Sequence, residues 1–364
     1  MAIVHGVGPG LRRTAPALLL LLLAPLVAEF LLGDFSVRRL YLVLAVLPQY
    51  GCGALLIREV VRRTGRGWPS MLLLAAAYGL IEEGYTTQSL FNPNYAGQHL
   101  LAYGYIPALG TSLDWIVFVL SLHVVWSIST PILMAEGVAA GRRTEPWLRR
   151  PGLAVTAVVF VFGCALTTIA SFGASHFIAS VPQLVVIAVL VAATITAAFV
   201  VFPLRRSQRP PFALGSPAPA PWVVCLTALI LATAFGLIER TRGSDLPAVS
   251  TLLGLLICEA VALLLIARWS QHPRWGPMHY LALAPGPLIT YSWGSISTFI
   301  AGHTNLGDRT GPGDVAGQIL LSLCLLALVG WAAVRNHPAA VTVHDSHGGP
   351  EGDHSPGSRT RTGS

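Results

Sequence analysis

The stretch PSMLLLAAAYGLIEEGYTTQSL, residues 69–90, decides how the chain is read. At about 1.5 Å per residue it is long enough to cross a hydrocarbon layer, which takes about 20 apolar residues, yet it carries two adjacent carboxylates, Glu82 and Glu83. Outward from it, runs of similar length and character fall near 15–33, 41–60, 113–137, 152–174, 182–204, 222–239, 248–268, 279–300 and 316–335. The composition agrees, with 54% hydrophobic and 11% charged residues among 364 and a mean hydropathy of +0.65. The expected fold is an all-α, polytopic transmembrane bundle of about ten helices.

Charge sets the expected orientation. The chain has 23 basic and 16 acidic residues, a formal net charge of +7, and every basic residue is Arg. Arg12 and Arg13 precede the first run, Arg62, Arg63 and Arg66 follow the second, and Arg142, Arg143, Arg149 and Arg150 follow the fourth, whereas the loop from Phe91 to Ser112 has no Arg. Cytoplasmic loops carry the basic excess, so both termini are expected in the cytoplasm of a plasma-membrane protein. Arginines placed at helix ends argue against a nucleic-acid partner, and the bilayer is the partner they imply. The chain lacks a Walker loop, a His-Glu-x-x-His and a dinucleotide fingerprint, and its five cysteines stand singly in apolar runs. No cofactor or metal is therefore expected.

The first run also resembles a secretory signal, with two arginines before a leucine stretch, although the site near Leu26-Val27-Ala28 is a poor small-x-small match. Arg205 to Pro221 reads as a cytoplasmic linker within a membrane domain spanning 1–335, and 336–364 as a disordered cytoplasmic tail. His337, His344, His347 and His354 in that tail lack regular ligand spacing.

Ionisable groups within apolar runs cost about 2.5–3.5 kcal/mol each on insertion scales and so mark candidate sites. Adjacent Glu82 and Glu83 point about 100° apart on an α-helix and cannot meet one neighbour in the same way. Tyr78, Glu82, Tyr85 and Thr86 share a face by spacing, and Ala75, Ala76 and Gly79 offer a small surface for close helix contact. Counted from the outer ends of their runs, Glu83 lies about 11 Å deep and His123 about 15 Å deep, so antiparallel neighbours can bring them together. His123 shares its face with Trp126, Ser127 and Thr130. A carboxylate beside an imidazole suits proton transfer near neutral pH.

Four other features are weaker candidates. Glu259 is about 16 Å deep in the eighth run. Arg58, Glu59, Arg62 and Arg63 read as a helix-end salt-bridge set. Pro48, Gln49, Tyr50, Gly51 and Gly53 in the second run, and Pro285 to Pro287 ahead of Tyr291, Ser292, Ser295 and Ser297 in the ninth, are expected to break helices and line a cavity. Asn92 and Asn94 lie in the uncharged outer loop, over the site or in ordinary turns.

The glutamate pair in one helix, with a histidine about 40 residues later, resembles the CAAX-processing and bacteriocin-immunity group of intramembrane glutamate proteases, over residues 69–180. The resemblance implies metal-independent peptide hydrolysis, with Glu82 or Glu83 as the base and His123 as its partner. The remaining motifs depart from the family. Gly84 to Gln88 contain no Arg, Val119 stands where an aromatic belongs, and neither His176 with Ser180 nor His303 with Asn305 forms His-x-x-x-Asn. Three functions stay open on the residues themselves. They are hydrolysis of a membrane-embedded peptide or other small substrate, proton- or cation-coupled transport through Glu82, Glu83, Glu259 and His123, and a non-catalytic assembly role in which polar groups only hold helices together.

Overall fold

The computed structural model describes residues 9–202 and 218–337. Most of the Arg205–Pro221 linker and the tail beyond His337 lie outside the described residues. The helices are α1 (Pro9–Pro25), α2 (Val43–Arg63), α3 (Trp68–Ile81), α4 (Leu113–Ser121), α5 (Thr130–Val138), α6 (Arg150–Ser175), α7 (Val181–Val200), α8 (Pro221–Glu239), α9 (Ala248–Ser270), α10 (Pro277–Leu281), α11 (Pro285–Ile300) and α12 (Pro312–Asn336). Three π-helical stretches extend them: π1 (Leu26–Leu31) after α1, π2 (Glu82–Thr86) after α3, and π3 (Leu122–Ser129) between α4 and α5. A short hairpin, Tyr105–Ile106 against Thr111–Ser112, sits in the loop before α4.

The chain is an all-α polytopic bundle. Among the described residues, eight helices are long and apolar enough to cross a membrane. The segments at 69–90 and 279–300 are not among them, for two physical reasons. The first carries Glu82 and Glu83 and is built for burial in protein, and the second is divided between α10 and α11. Helix α11 restarts with Pro285 and Pro287 in its first turn, where a missing N–H costs nothing.

The second run is not broken, contrary to expectation. Helix α2 continues through Pro48, and its glycines serve close approach. A Cβ on Gly163 of α6 would lie 2.6 Å from the Pro48 carbonyl carbon and the Gln49 nitrogen, and one on Gly53 would lie 2.5 Å from the Tyr78 ring. Small residues let helix backbones meet closely where lipid supplies no hydrophobic drive between them.

Burial divides the bundle. The spans built from α1 with π1 and from α4, π3 and α5 are 56% and 61% buried over their apolar windows, whereas α6, α7, α8 and α9 are each 11% buried. The inner helices therefore carry what must be shielded, and the outer four present Val, Leu and Ile outward, as lipid contact requires. Leu20, Leu23, Ala24 and Val27 of the first run are among the most buried side chains, packed with Ala54 and Leu55 of α2.

At the arginine-rich end the expected salt-bridge set is present and larger than the sequence indicated. Arg58 Nη1 meets Glu59 at 2.5 Å and Arg58 Nε meets Glu136 at 3.1 Å, while Arg62 Nη2 meets Glu136 at 2.6 Å. Glu59 also accepts the Trp147 and Leu148 backbone N–H groups at 2.8 and 3.0 Å, and the Arg58 guanidinium lies 3.3 Å from the Trp147 ring centroid. Glu136 and Trp147 are distant in sequence, which is why spacing did not reveal them. Removing one member leaves a buried charge uncompensated. Glu136→Gln is expected to cost about 3–5 kcal/mol, read as a fall in the heat-inactivation midpoint in detergent, and an unchanged midpoint would contradict the account.

Candidate functional site

The three π-helical stretches meet at one place, and each brings an ionisable side chain to it: Glu29 from π1, Glu82 and Glu83 from π2, and His123 from π3. A π turn bonds i to i+5, widens the helix and shifts the faces that follow, and such turns frequently occur at functional sites. In π2 the Thr87 N–H reaches the Glu82 carbonyl at 2.8 Å, and the Thr86 and Thr87 hydroxyls donate to the same oxygen at 2.7 and 3.0 Å. The shift splits the face inferred from spacing. Tyr78 and Glu82 stay at the site, Thr86 accepts a hydrogen bond from Gln49 at 3.3 Å, and Tyr85 turns away to donate to the Leu184 carbonyl at 2.8 Å.

Both glutamates meet His123, each on a different nitrogen. Glu83 Oε1 is 2.7 Å from Nε2, a hydrogen bond. Glu82 Oε2 is 3.3 Å from Nδ1, but the directions do not make a hydrogen bond, and both atoms are buried without a hydrogen-bond partner. The three side chains are 2–6% exposed. Gly79 makes the approach feasible, since a Cβ there would sit 3.2 Å from that of His123. Glu83 is fixed by further donors: Thr87 Oγ1 at 3.0 Å and the Ser89 hydroxyl, to which Trp115 Nε1 in turn donates at 3.2 Å. The imidazole stacks on Tyr50 with centroids 6.3 Å apart and meets the Tyr78 edge at 5.8 Å. The Tyr78 hydroxyl is also buried without a partner.

The other candidates fall elsewhere. Trp126 donates to the Pro287 carbonyl at 2.9 Å and stacks on Tyr291 at 5.1 Å. Together they join π3 to α11. Glu259 does not join the cluster, because it faces α4 and accepts the Ser121 hydroxyl. Asn92 is buried, and its Oδ1 accepts the Asn94 N–H at 3.0 Å in a local turn, while Asn94 is exposed. Tyr95 of the same loop is half-buried. Burial, then the negative charges of Glu83, Glu29, Asp34 and Glu82, push its hydroxyl well above its ordinary value.

Sequence reasoning missed Glu29, Asp34, Thr87, Ser89 and Trp115, and placed Tyr50 only in a helix break, not beside His123. Glu29 carried a usable signal, since it is an ionisable group in an apolar run like the others. Ser89 and Trp115 carried none, because serine and tryptophan are ordinary at helix ends. The two cavities described, one of about 530 Å³ lined by Arg274, His279 and Asn336 among others and one beside Glu136 and Arg143, lie at the arginine-rich end, away from the cluster.

Asp34 stands just beyond π1 and accepts the Asn305 side-chain N–H at 3.0 Å. Burial raises its pKa to about 6 against the Asn305 hydrogen bond, and Glu83 adds to the rise while His123 opposes it. A carboxyl whose folded pKa lies above its unfolded value binds its proton more tightly when folded. It therefore adds stability as pH falls from about 6 towards 4 and withdraws it on the way up. Asp34→Asn is expected to flatten that part of the thermal-stability profile relative to the parent, and parallel profiles over pH 4–6 would contradict the shift.

The comparisons with known proteins fit a membrane bundle and correct the resemblance drawn from the glutamate pair. Residues 18–342 match the model of a family described as "Uncharacterized membrane protein family", and no curated protein and no solved structure matches the chain. The CAAX-processing and bacteriocin-immunity group is thereby set aside. The geometry shows why its further motifs were absent. His176 caps α6 in a left-handed conformation against Phe172, and His303 bonds the Thr304 carbonyl, so neither enters the cluster. Because the match covers most of its length, the chain belongs to this uncharacterized membrane protein family.

Proposed function

We propose that Glu82, Glu83 and His123 form a membrane-embedded hydrolytic centre, in which a water held at the Glu82–His123 edge attacks an amide or ester carbonyl presented from the bilayer. The observation that supports this most is the two-sided grip on His123. With the imidazole proton on Nε2, Glu83 Oε1 accepts it and the Nδ1 lone pair is left facing Glu82 Oε2. Two unsatisfied acceptors 3.3 Å apart in a low-dielectric interior call for a shared proton or a third group between them.

In the hydrolytic step, water gives its proton to the Glu82–His123 edge as its oxygen bonds to the carbonyl carbon. Glu83 stabilises the imidazolium that forms, and the same proton passes to the leaving group as the scissile bond breaks. This division of labour between base and orienting carboxylate follows general acid–base logic. The π turns support it by holding the three side chains on inner, shielded helices. A coupled carrier draws less support, because Glu259 pairs with Ser121 and the three π stretches all lie in the first half of the chain.

The proposal includes an orientation. At the end bearing the site, Arg38, Arg39 and Arg242 pair with Asp314, Asp308 and Asp114, whereas Arg240 and Arg309 of that end have no carboxylate in a salt bridge among the described residues. The denser arginine clusters, Arg62, Arg63 and Arg66 together with Arg142, Arg143, Arg149 and Arg150, belong to the opposite loops, which we place in the cytoplasm of a plasma-membrane protein. Substrate then approaches from the outer leaflet, beneath the loop that carries Tyr95.

The test is hydrolysis of a panel of fluorogenic peptides and lipid esters in proteoliposomes. Glu83→Gln is expected to lower kcat by about 10²–10⁴-fold, and Glu259→Gln to leave it unchanged. Absence of any cleavage by the parent, or full activity in Glu83→Gln, would overturn the proposal.

A further inference from the structure

The geometry points to a divalent transition-metal site of the zinc class, with His123 Nδ1 and Glu82 Oε2 as protein ligands and Glu83 as the carboxylate that orients the ligating imidazole. Zn–N and Zn–O bonds of about 2.0–2.2 Å in tetrahedral array set neighbouring ligand atoms about 3.3–3.5 Å apart. The Nδ1–Oε2 separation of 3.3 Å has that value, whereas the Nε2–Oε1 separation of 2.7 Å has the value of a hydrogen bond. The two sides of the ring are thus distinguishable. One is arranged as an edge of a coordination sphere and the other as the carboxylate–histidine contact that usually backs a metal-bound histidine.

Three further observations agree. The atoms on the ligand edge are both orphaned and buried, with the residues only 2% exposed. One ligand atom each from Glu82, Glu83 and His123 falls within 4.8 Å of the others. Glu29 brings a third carboxylate into electrostatic contact with Glu82 and His123. After burial itself, the groups that act on Glu82 are His123, Glu83, Tyr50 and Tyr78, with no arginine among them. A cation supplies the missing positive charge, and an imidazole with carboxylates suits zinc better than calcium or magnesium. This reverses the expectation of a metal-free centre. It rests on the proposed hydrolytic reading for where water sits, and it transfers the activation of that water from His123 to the cation.

The test is metal content of the full chain purified in detergent with its affinity tag removed, followed by exchange to Co²⁺ and its visible spectrum. The parent is expected to retain about one Zn²⁺ per chain and to show the intense visible bands of tetrahedral Co²⁺. Glu82→Gln is the sharp variant, because its amide can donate to Nδ1 and preserve folding while removing a charged ligand. It should lose the metal and the bands, as should His123→Ala, and Glu83→Gln should weaken binding by about 10–100-fold. The histidine-bearing tail is common to all variants, so their difference reports the site alone. A parent with no more metal than Glu82→Gln would overturn the inference in favour of a shared proton. Metal content is read without substrate, so bound metal without turnover sinks only the hydrolytic proposal, and turnover without metal sinks only this one.

Discussion

The molecule is organised around an imidazole hydrogen-bonded by Glu83 on one ring nitrogen and faced by Glu82, 3.3 Å away and unbonded, on the other, in the interior of a membrane bundle. Holding three ionisable groups there is costly, and the rest of the architecture reduces that cost or shields the group from lipid. The π turns rotate Glu82, Glu83 and His123 into register, Gly79 lets the two helices close, and the Thr87 and Ser89 hydroxyls occupy the second oxygen of Glu83, with Trp115 donating to Ser89 behind them. Helices α6 to α9 stand outside and meet the lipid.

The two ends of the bundle use buried charge differently. At the arginine-rich end, Arg58, Arg62, Glu59 and Glu136 are matched in charge, and the Glu59 carboxylate also accepts backbone N–H groups. Such a network fixes geometry and leaves nothing for chemistry. At the other end the carboxylates outnumber the cations near them, and Glu82 Oε2, His123 Nδ1 and the Tyr78 hydroxyl have no partner. That imbalance separates a site from a staple, because fully satisfied buried networks rigidify while unsatisfied groups carry the full cost of desolvation.

The helical bundle was legible because hydrophobic run length and arginine placement are global signals that survive local irregularity. The Glu83–His123 pairing was legible because antiparallel neighbours and a rise per residue fix depth. The failures have particular causes. Tyr85 was grouped with Tyr78 and Glu82 on α-helical spacing, which the π turn invalidates. Pro48 suggested a break that α2 does not make, since close packing of Gly163 against it holds the helix straight through. Glu29 sits next to a stretch with the look of a signal cleavage site, which masks it as a buried carboxylate and hides π1. A pair of glutamates and a histidine proved too short a motif to name a family.

The central claim is that these polar groups are kept for chemistry at the expense of stability, and are not glue. Chemical-site residues are commonly replaceable with a gain in stability, whereas removal of structural polar contacts costs it. The most direct measurement is the thermal midpoint in detergent of a triple variant, Glu82→Met, Glu83→Met and His123→Leu, against the parent stripped of metal with a chelator, since bound metal would by itself stabilise the parent. The account predicts a midpoint equal to or above that of the parent, and a marked fall would contradict it.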